Sequence, residues 1–216
     1  AIPGFYDDVI DLTVEERSEI SRVAFDDEGF RKDLDIDAIV GEKGYTPREC
    51  LGARPTLDVN GMIGGFTGTG AKTVLPSKAM AKISMRLVAN QRTEDIARKF
   101  TEYVRSIAPV GVTVEVENLH GADPVLVPRQ GAAMRAAEKA LTQVFGTPPV
   151  YMREGGSIPI TLLFQSILGA PTVLMGFGLH TENAHSPDEH FDLENFHAGM
   201  RASVLFYHAL ASEHAA

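Results

Sequence analysis

Ala79-Met80-Ala81-Lys82-Ile83-Ser84-Met85-Arg86-Leu87-Val88 alternates in character, with Ile83, Met85 and Leu87 on one side and Lys82, Ser84 and Arg86 on the other. A period of two is that of a β-strand with one buried face, and it puts Arg86 on the face opposite the core. Upstream, Thr56-Leu57-Asp58-Val59 predicts a second strand, joined to the first by the glycine-rich stretch from Gly61 to Gly70. Downstream, Thr93-Glu94-Asp95 opens a helix whose apolar Ile96, Phe100, Tyr103, Val104 and Ile107 follow helical spacing until Pro109 and Gly111 end it. Val112 to Glu117 alternates again as a strand. Strand, strand, helix, strand is the order of a small antiparallel sheet with helices packed on one face.

The flanking thirds read differently. Before Pro55, Thr13-Val14-Glu15-Glu16 has the spacing of a capping box and predicts a helix to about Val23. Residues 26–54 read as turns and one short helix. After residue 121 the pattern predicts a helix from about Ala132 to Phe145, a strand from Pro149 to Met152, a helix from Ile158 to Leu168, a strand from Thr172 to Met175, and a final helix from about Leu193 to Ala211. Helices alternating with short apolar strands suggest part of an α/β layer. The expected fold is therefore α+β followed by α/β, in two partial domains at residues 1–120 and 121–216.

Composition narrows the function. The chain has 216 residues, 44% apolar and 23% charged, which is ordinary for a globular fold. Twenty Lys and Arg against 29 Asp and Glu, with a net charge of −9, argue against a nucleic-acid partner. Apolar runs such as Pro171 to Phe177 are far short of the roughly 20 residues that span a bilayer, so a soluble protein with no membrane partner is expected. The single Cys50 cannot form an internal disulfide. The opening residues lack the pattern of a signal peptide and read as mid-protein sequence. A cytoplasmic location follows as the expectation.

Three segments invite a chemical reading. Gly65-Phe66-Thr67-Gly68-Thr69-Gly70-Ala71-Lys72-Thr73 approaches a phosphate loop, but Ala71 separates the last glycine from Lys72, and Pro76 and a strand follow where a helix should. It reads better as a hairpin or a substrate-facing loop. Glu154-Gly155-Gly156-Ser157, between a strand and a helix, lets a backbone approach a ligand, or is a tight turn capped by Ser157. The loop from Gly178 to His190 holds His180, His185 and His190 among acids, with His197 beyond it. Imidazole and carboxylate suit Zn²⁺ or Mn²⁺, though the spacing matches no closed chelating motif and loop histidines are commonly only solvated.

Taken together and in order, Arg54 to Gly61 (RPTLDVNG), Gly70 to Lys78 (GAKTVLPSK), Lys82 to Val88 (KISMRLV), Arg153 to Pro159 (REGGSIP) and Asn183 to Glu189 (NAHSPDE) resemble the dinuclear-zinc peptidases that include carnosine dipeptidases, aminoacylase and glutamate carboxypeptidases, in their dipeptidase-like branch. The resemblance covers the C-terminal half of such an enzyme. It implies a ferredoxin-like lid or dimerisation domain at residues 1–120, truncated at its N-terminus, and the C-terminal part of an α/β zinc-peptidase domain at residues 121–216.

It further implies that His185 ligates one of two Zn²⁺ ions, with Mn²⁺ as the alternative metal, and that Gly156 and Ser157 contact substrate. Arg86 would pair with a substrate carboxylate, and Thr73, on the lid, would reach the partner subunit's active site. The implied substrate is a small peptide or N-acyl amino acid, hydrolysed by a metal-bridged hydroxide in a homodimer joined through the lid. Such enzymes draw their other metal ligands and their general-base glutamate from an N-terminal half. The chain alone is then expected to contain no catalytic residue and to be inactive, and a non-catalytic dimerisation or binding module is the alternative.

Overall fold

In the computed structural model, residues 2–155 and 158–214 are described. The substrate contacts assigned to Gly156 and Ser157 lie outside them. The described residues form two compact units, residues 2–125 with 152–155 and residues 126–151 with 158–214.

In the first unit, helix α1 (Val14–Ser21) begins at Thr13, whose hydroxyl accepts the Glu16 amide while the Glu16 carboxylate accepts the Thr13 amide. This capping box satisfies two of the donors a helix start leaves over. The stretch read as turns and one short helix contains two. Helix α2 (Asp27–Asp33) is capped by Asp26, and helix α3 (Pro47–Ala53) starts at a second capping box made by Thr46 and Glu49. Thr46-Pro47-Arg48-Glu49 carries the same spacing as the first box, with proline at a position where its missing N–H costs nothing. Leu12, Ile20 and Ala53 form a small buried cluster where α1 meets α3.

Strands β1 (Thr56–Gly64) and β2 (Ala79–Arg86) pair antiparallel, with Thr56 opposite Arg86 and Gly64 opposite Ala79, and a bulge between Val59 and Gly61. The result is the mixed α and β fold with a small antiparallel sheet that the alternation predicts. The side chains of both strands are almost all exposed, so among the described residues neither face of the ribbon is covered. Helix α4 (Thr93–Ser106) follows, and in place of a side-chain cap from Arg92 its first amide donates to Asp123 Oδ1 at 2.7 Å. Ile96 is its buried residue, Phe5, Val88 and Ala89 are buried in the same unit, and the Gln91 side-chain amide donates to the Phe5 carbonyl at 2.7 Å.

In the second unit, helix α5 (Ala132–Phe145) packs on helix α7 (Leu193–His214). The contact is made of small residues: Ala136, Ala137 and Ala140 from one helix, Ala198, Ala202 and Ala209 from the other, all buried. Arg135 and Glu213 bridge the pair at 2.7 Å. Helix α6 (Pro159–Leu168) lies between them in sequence. Among the described residues no helix is long and apolar enough to cross a membrane.

The segments 112–117, 149–152 and 172–175, read as strands, have no ladder partner among the described residues. Alternation still shows in burial, since Val114 and Val116 are half-buried while Thr113, Glu115 and Glu117 are exposed. A period of two selects the faces of an extended chain but does not supply the neighbour whose hydrogen bonds make it a strand.

Candidate substrate and metal site

Arg86 ends β2 and is exposed. Its side chain passes directly over the backbone of Gly155, where a Cβ would stand 2.6 Å from Arg86 Cδ and 2.6 Å from the Leu51 carbonyl oxygen. Only glycine lets the chain run through that gap. At the next residue of α3, Gly52 meets the Arg153 carbonyl so closely that a Cβ there would overlap it. Residues 152–155 are thus seated on the end of α3, and Arg86 is seated on them.

Arg153 fastens the same segment to α1. Its guanidinium, with the side chain only 10% exposed, donates to both carboxylate oxygens of Glu16 at 2.8 and 2.9 Å and to the Ile10 carbonyl at 3.0 Å. Glu16 therefore caps α1 and holds Arg153 with one carboxylate, a bidentate pairing suited to the planar guanidinium. The sequence marks Glu16 only as a helix cap and gives Arg153 no structural partner. Their separation of 137 positions hides the pair.

A second charged hub braces this unit. Arg54 makes two hydrogen bonds to Glu42 at 2.7 and 2.8 Å, reaches Asp11 at 3.2 Å, and lies 4.5 Å from the ring centre of Tyr45 and 4.8 Å from that of Tyr6. The Tyr45 hydroxyl donates to Asp11 at 2.8 Å. Hydrogen bonding to Asp11, then burial, holds the Tyr45 phenol above its ordinary range; burial, then the Glu42 carboxylate, does the same for Tyr6. The hydrogen bonds to Glu42 raise the Arg54 guanidinium further, so it stays charged.

Thr73 lies in the exposed connection between the strands, beyond the Gly64–Ala79 end of the ribbon, whereas Arg86 lies at the opposite end. At about 3.3 Å per residue the strand alone separates those two ends by roughly 23 Å. The connection is shaped by Phe66, which has Gly68 packed on its ring and Lys72 Nζ 5.1 Å from its centre.

His185 belongs to the second unit and is exposed in the loop between residues 178 and 192, with φ at 64°. The loop is organised by Glu182, which in the sequence is one acid among several. Glu182 is 5% exposed, and its carboxylate accepts the amides of Leu179 at 2.9 Å and Asp192 at 2.7 Å. His190 Nδ1 lies 3.0 Å from the Asp188 carbonyl. Among the described residues no group of three or more His, Cys, Asp or Glu side chains is placed to hold a metal ion. In donor chemistry and exposure, His185 fits a metal as a single imidazole ligand.

The family model described as peptidase family M20/M25/M40 matches residues 9–209. The chain belongs to this family. Among M20 relatives it is 32% identical to the Cys-Gly metallodipeptidase dug1 of Schizosaccharomyces pombe, over 98% of this chain and 45% of that protein. It is 27% identical to the human Beta-Ala-His dipeptidase, over 99% of this chain and 43% of that protein. Among solved structures, the M20 metallo-carboxypeptidase Sso-CP2 from Sulfolobus solfataricus superposes with a TM-score of 0.81 at 29% identity, over 97% of this chain and 48% of that one. The chain thus spans less than half the length of each of these M20 proteins.

Proposed function

We propose that the chain is the C-terminal part of a metal-dependent dipeptidase or related amidohydrolase. Residues 1–120 serve as the lid and dimerisation domain, and residues 121–216 as part of the catalytic domain. One observation carries the reading: an exposed arginine at the end of a lid strand rests on a glycine backbone directly before the Gly156-Ser157 pair. A guanidinium so supported can hold the carboxylate of a small peptide or N-acyl amino acid while the glycine-rich segment lies alongside the scissile bond. The metallodipeptidases among the relatives support the same reaction class.

His185 contributes one ligand to a divalent ion. Zn²⁺ is the assigned metal, two ions per complete site, with Mn²⁺ as the alternative. When bound, the ions supply Lewis acidity toward the peptide carbonyl and acidify a water. The remaining ligands and the general base come from outside these 216 residues, so the isolated chain does not turn over. Thr73, at the far end of the ribbon from Arg86, serves the partner protomer's site in a homodimer joined through the lid. The protein works in the cytoplasm, without nucleic-acid or membrane partners.

The test is substrate selectivity in the complete polypeptide. Wild-type protein hydrolyses dipeptides with a free C-terminal carboxylate far better than their C-terminal amides, and Arg86→Ala narrows that difference. An Arg86→Ala enzyme with undiminished selectivity contradicts the reading.

A further inference from the structure

We propose that Glu182 is a positioning residue for His185: its buried carboxylate closes the loop that presents the imidazole. The inference rests on the reading of His185 as a metal ligand. Residues 183–190 are exposed, yet Glu182 within the same turn is buried. One residue makes four backbone contacts that tie both ends of the loop. Oε2 accepts the Leu179 amide at 2.9 Å, Oε1 accepts the Asp192 amide at 2.7 Å, the Glu182 amide donates to the Leu179 carbonyl at 3.2 Å, and its carbonyl accepts the His190 amide at 3.1 Å.

The far end is itself anchored. Asp192 Oδ1 accepts the Asn195 amide at 2.8 Å and its carbonyl accepts the Phe196 amide at 2.9 Å, which joins the closed loop to the first turn of α7. Between these ties Asn183, His185 and Asp188 all have positive φ, at 53°, 64° and 61°. Such backbone is retained where the surroundings over-determine it, and the Glu182 contacts are what fix both ends here. No apolar residue at 182 could replace them, because two loop amides would be left without acceptors. The direction in which His185 leaves the backbone therefore depends on a carboxylate three residues away.

The experiment uses the complete polypeptide and four proteins: wild type, Glu182→Gln, Glu182→Ala and His185→Ala. Two quantities are read below the melting temperature of each: Zn²⁺ affinity by chelator competition, and hydrogen exchange at the Leu179 and Asp192 amides. Glu182→Gln keeps the shape and one acceptor, so it folds, exchanges faster at one or both amides, and binds Zn²⁺ about 10-fold more weakly. Glu182→Ala weakens binding further, and the glutamine variant's partial recovery separates positioning from mere bulk. KM for a dipeptide at saturating Zn²⁺ stays at the wild-type value. If His185→Ala weakens Zn²⁺ binding while Glu182→Gln leaves affinity or amide exchange at wild-type values, the positioning role is overturned and the functional reading survives. If His185→Ala leaves Zn²⁺ affinity intact, the reading of His185 as a ligand fails, and its positioning by Glu182 fails with it.

Discussion

Arg86 reaches solvent over a strip of backbone that carries no side chain, and both its charge and its seat are open to single substitutions. Removing a charge-assisted clamp on a substrate carboxylate costs about 2–3 kcal/mol, so Arg86→Ala lowers kcat/KM on carboxylate-bearing dipeptides by roughly 100-fold. The same substitution lowers it much less on amide analogues, and equal losses would count against a clamp. Gly155→Ala tests the seat: its methyl meets both Arg86 Cδ and the Leu51 carbonyl. Selectivity for carboxylate substrates should fall even though the charge remains, as steady-state kinetics on the two substrate classes would show. Arg86 was legible because it lies in a segment whose period of two marks a strand, and β2 forms there, although the structure leaves both of its faces exposed. Glu182 was not, because a glutamate in a polar loop has no pattern that distinguishes a buried acceptor of two amides from a solvated acid.

Titration at the Arg54 hub gives a further residue-level outcome. The fold favours the neutral phenols of Tyr45 and Tyr6, whose titration is raised. A group raised on folding adds stability that is fully present below its unfolded pKa and lost as pH climbs through the folded one. The denaturation midpoint therefore falls as pH rises above about 10. In Tyr45→Phe that fall is shallower. A midpoint with the same alkaline slope in both proteins would contradict this account of the hub.

At the scale of elements, α1, α3 and the 152–155 segment form one supported unit through Glu16 and Gly52. Glu16→Ala removes the α1 capping box and leaves the largely buried Arg153 guanidinium without its carboxylate, a loss of about 3 kcal/mol in chemical denaturation. Gly52→Ala drives a methyl into the Arg153 carbonyl and forces backbone apart, with a destabilisation of similar size. Wild-type stability in either variant would show that the segment is held by something else. Both capping boxes are visible as Thr-x-x-Glu spacings, and α4, α5, α6 and α7 follow their apolar periodicity and terminators to within a few residues. The strands beyond β2 are the part that periodicity could not settle. Val114 and Val116 keep the burial rhythm of a strand, but rhythm names no partner.

Across the whole molecule, sequence motifs separated by up to about 130 positions lead to one family, while the contacts that brace them are invisible until folded. Arg153 with Glu16, Arg54 with Glu42 and Asp11, and Glu182 with two amides of its own loop are contacts for which no local pattern codes. In the first unit Arg153 with Glu16 holds the segment that ends at Gly155, and in the second Glu182 holds the His185 loop; both fix backbone rather than chemistry. The most direct measurement of the central claim is dipeptide hydrolysis by the complete polypeptide, stripped of metal and then titrated with Zn²⁺, beside its His185→Ala variant. The account predicts hydrolysis that appears with added Zn²⁺ and falls by about 10³-fold in the variant, as loss of a ligand to a Lewis-acid centre requires. Undiminished hydrolysis by the stripped protein, or a wild-type rate in His185→Ala, would contradict it.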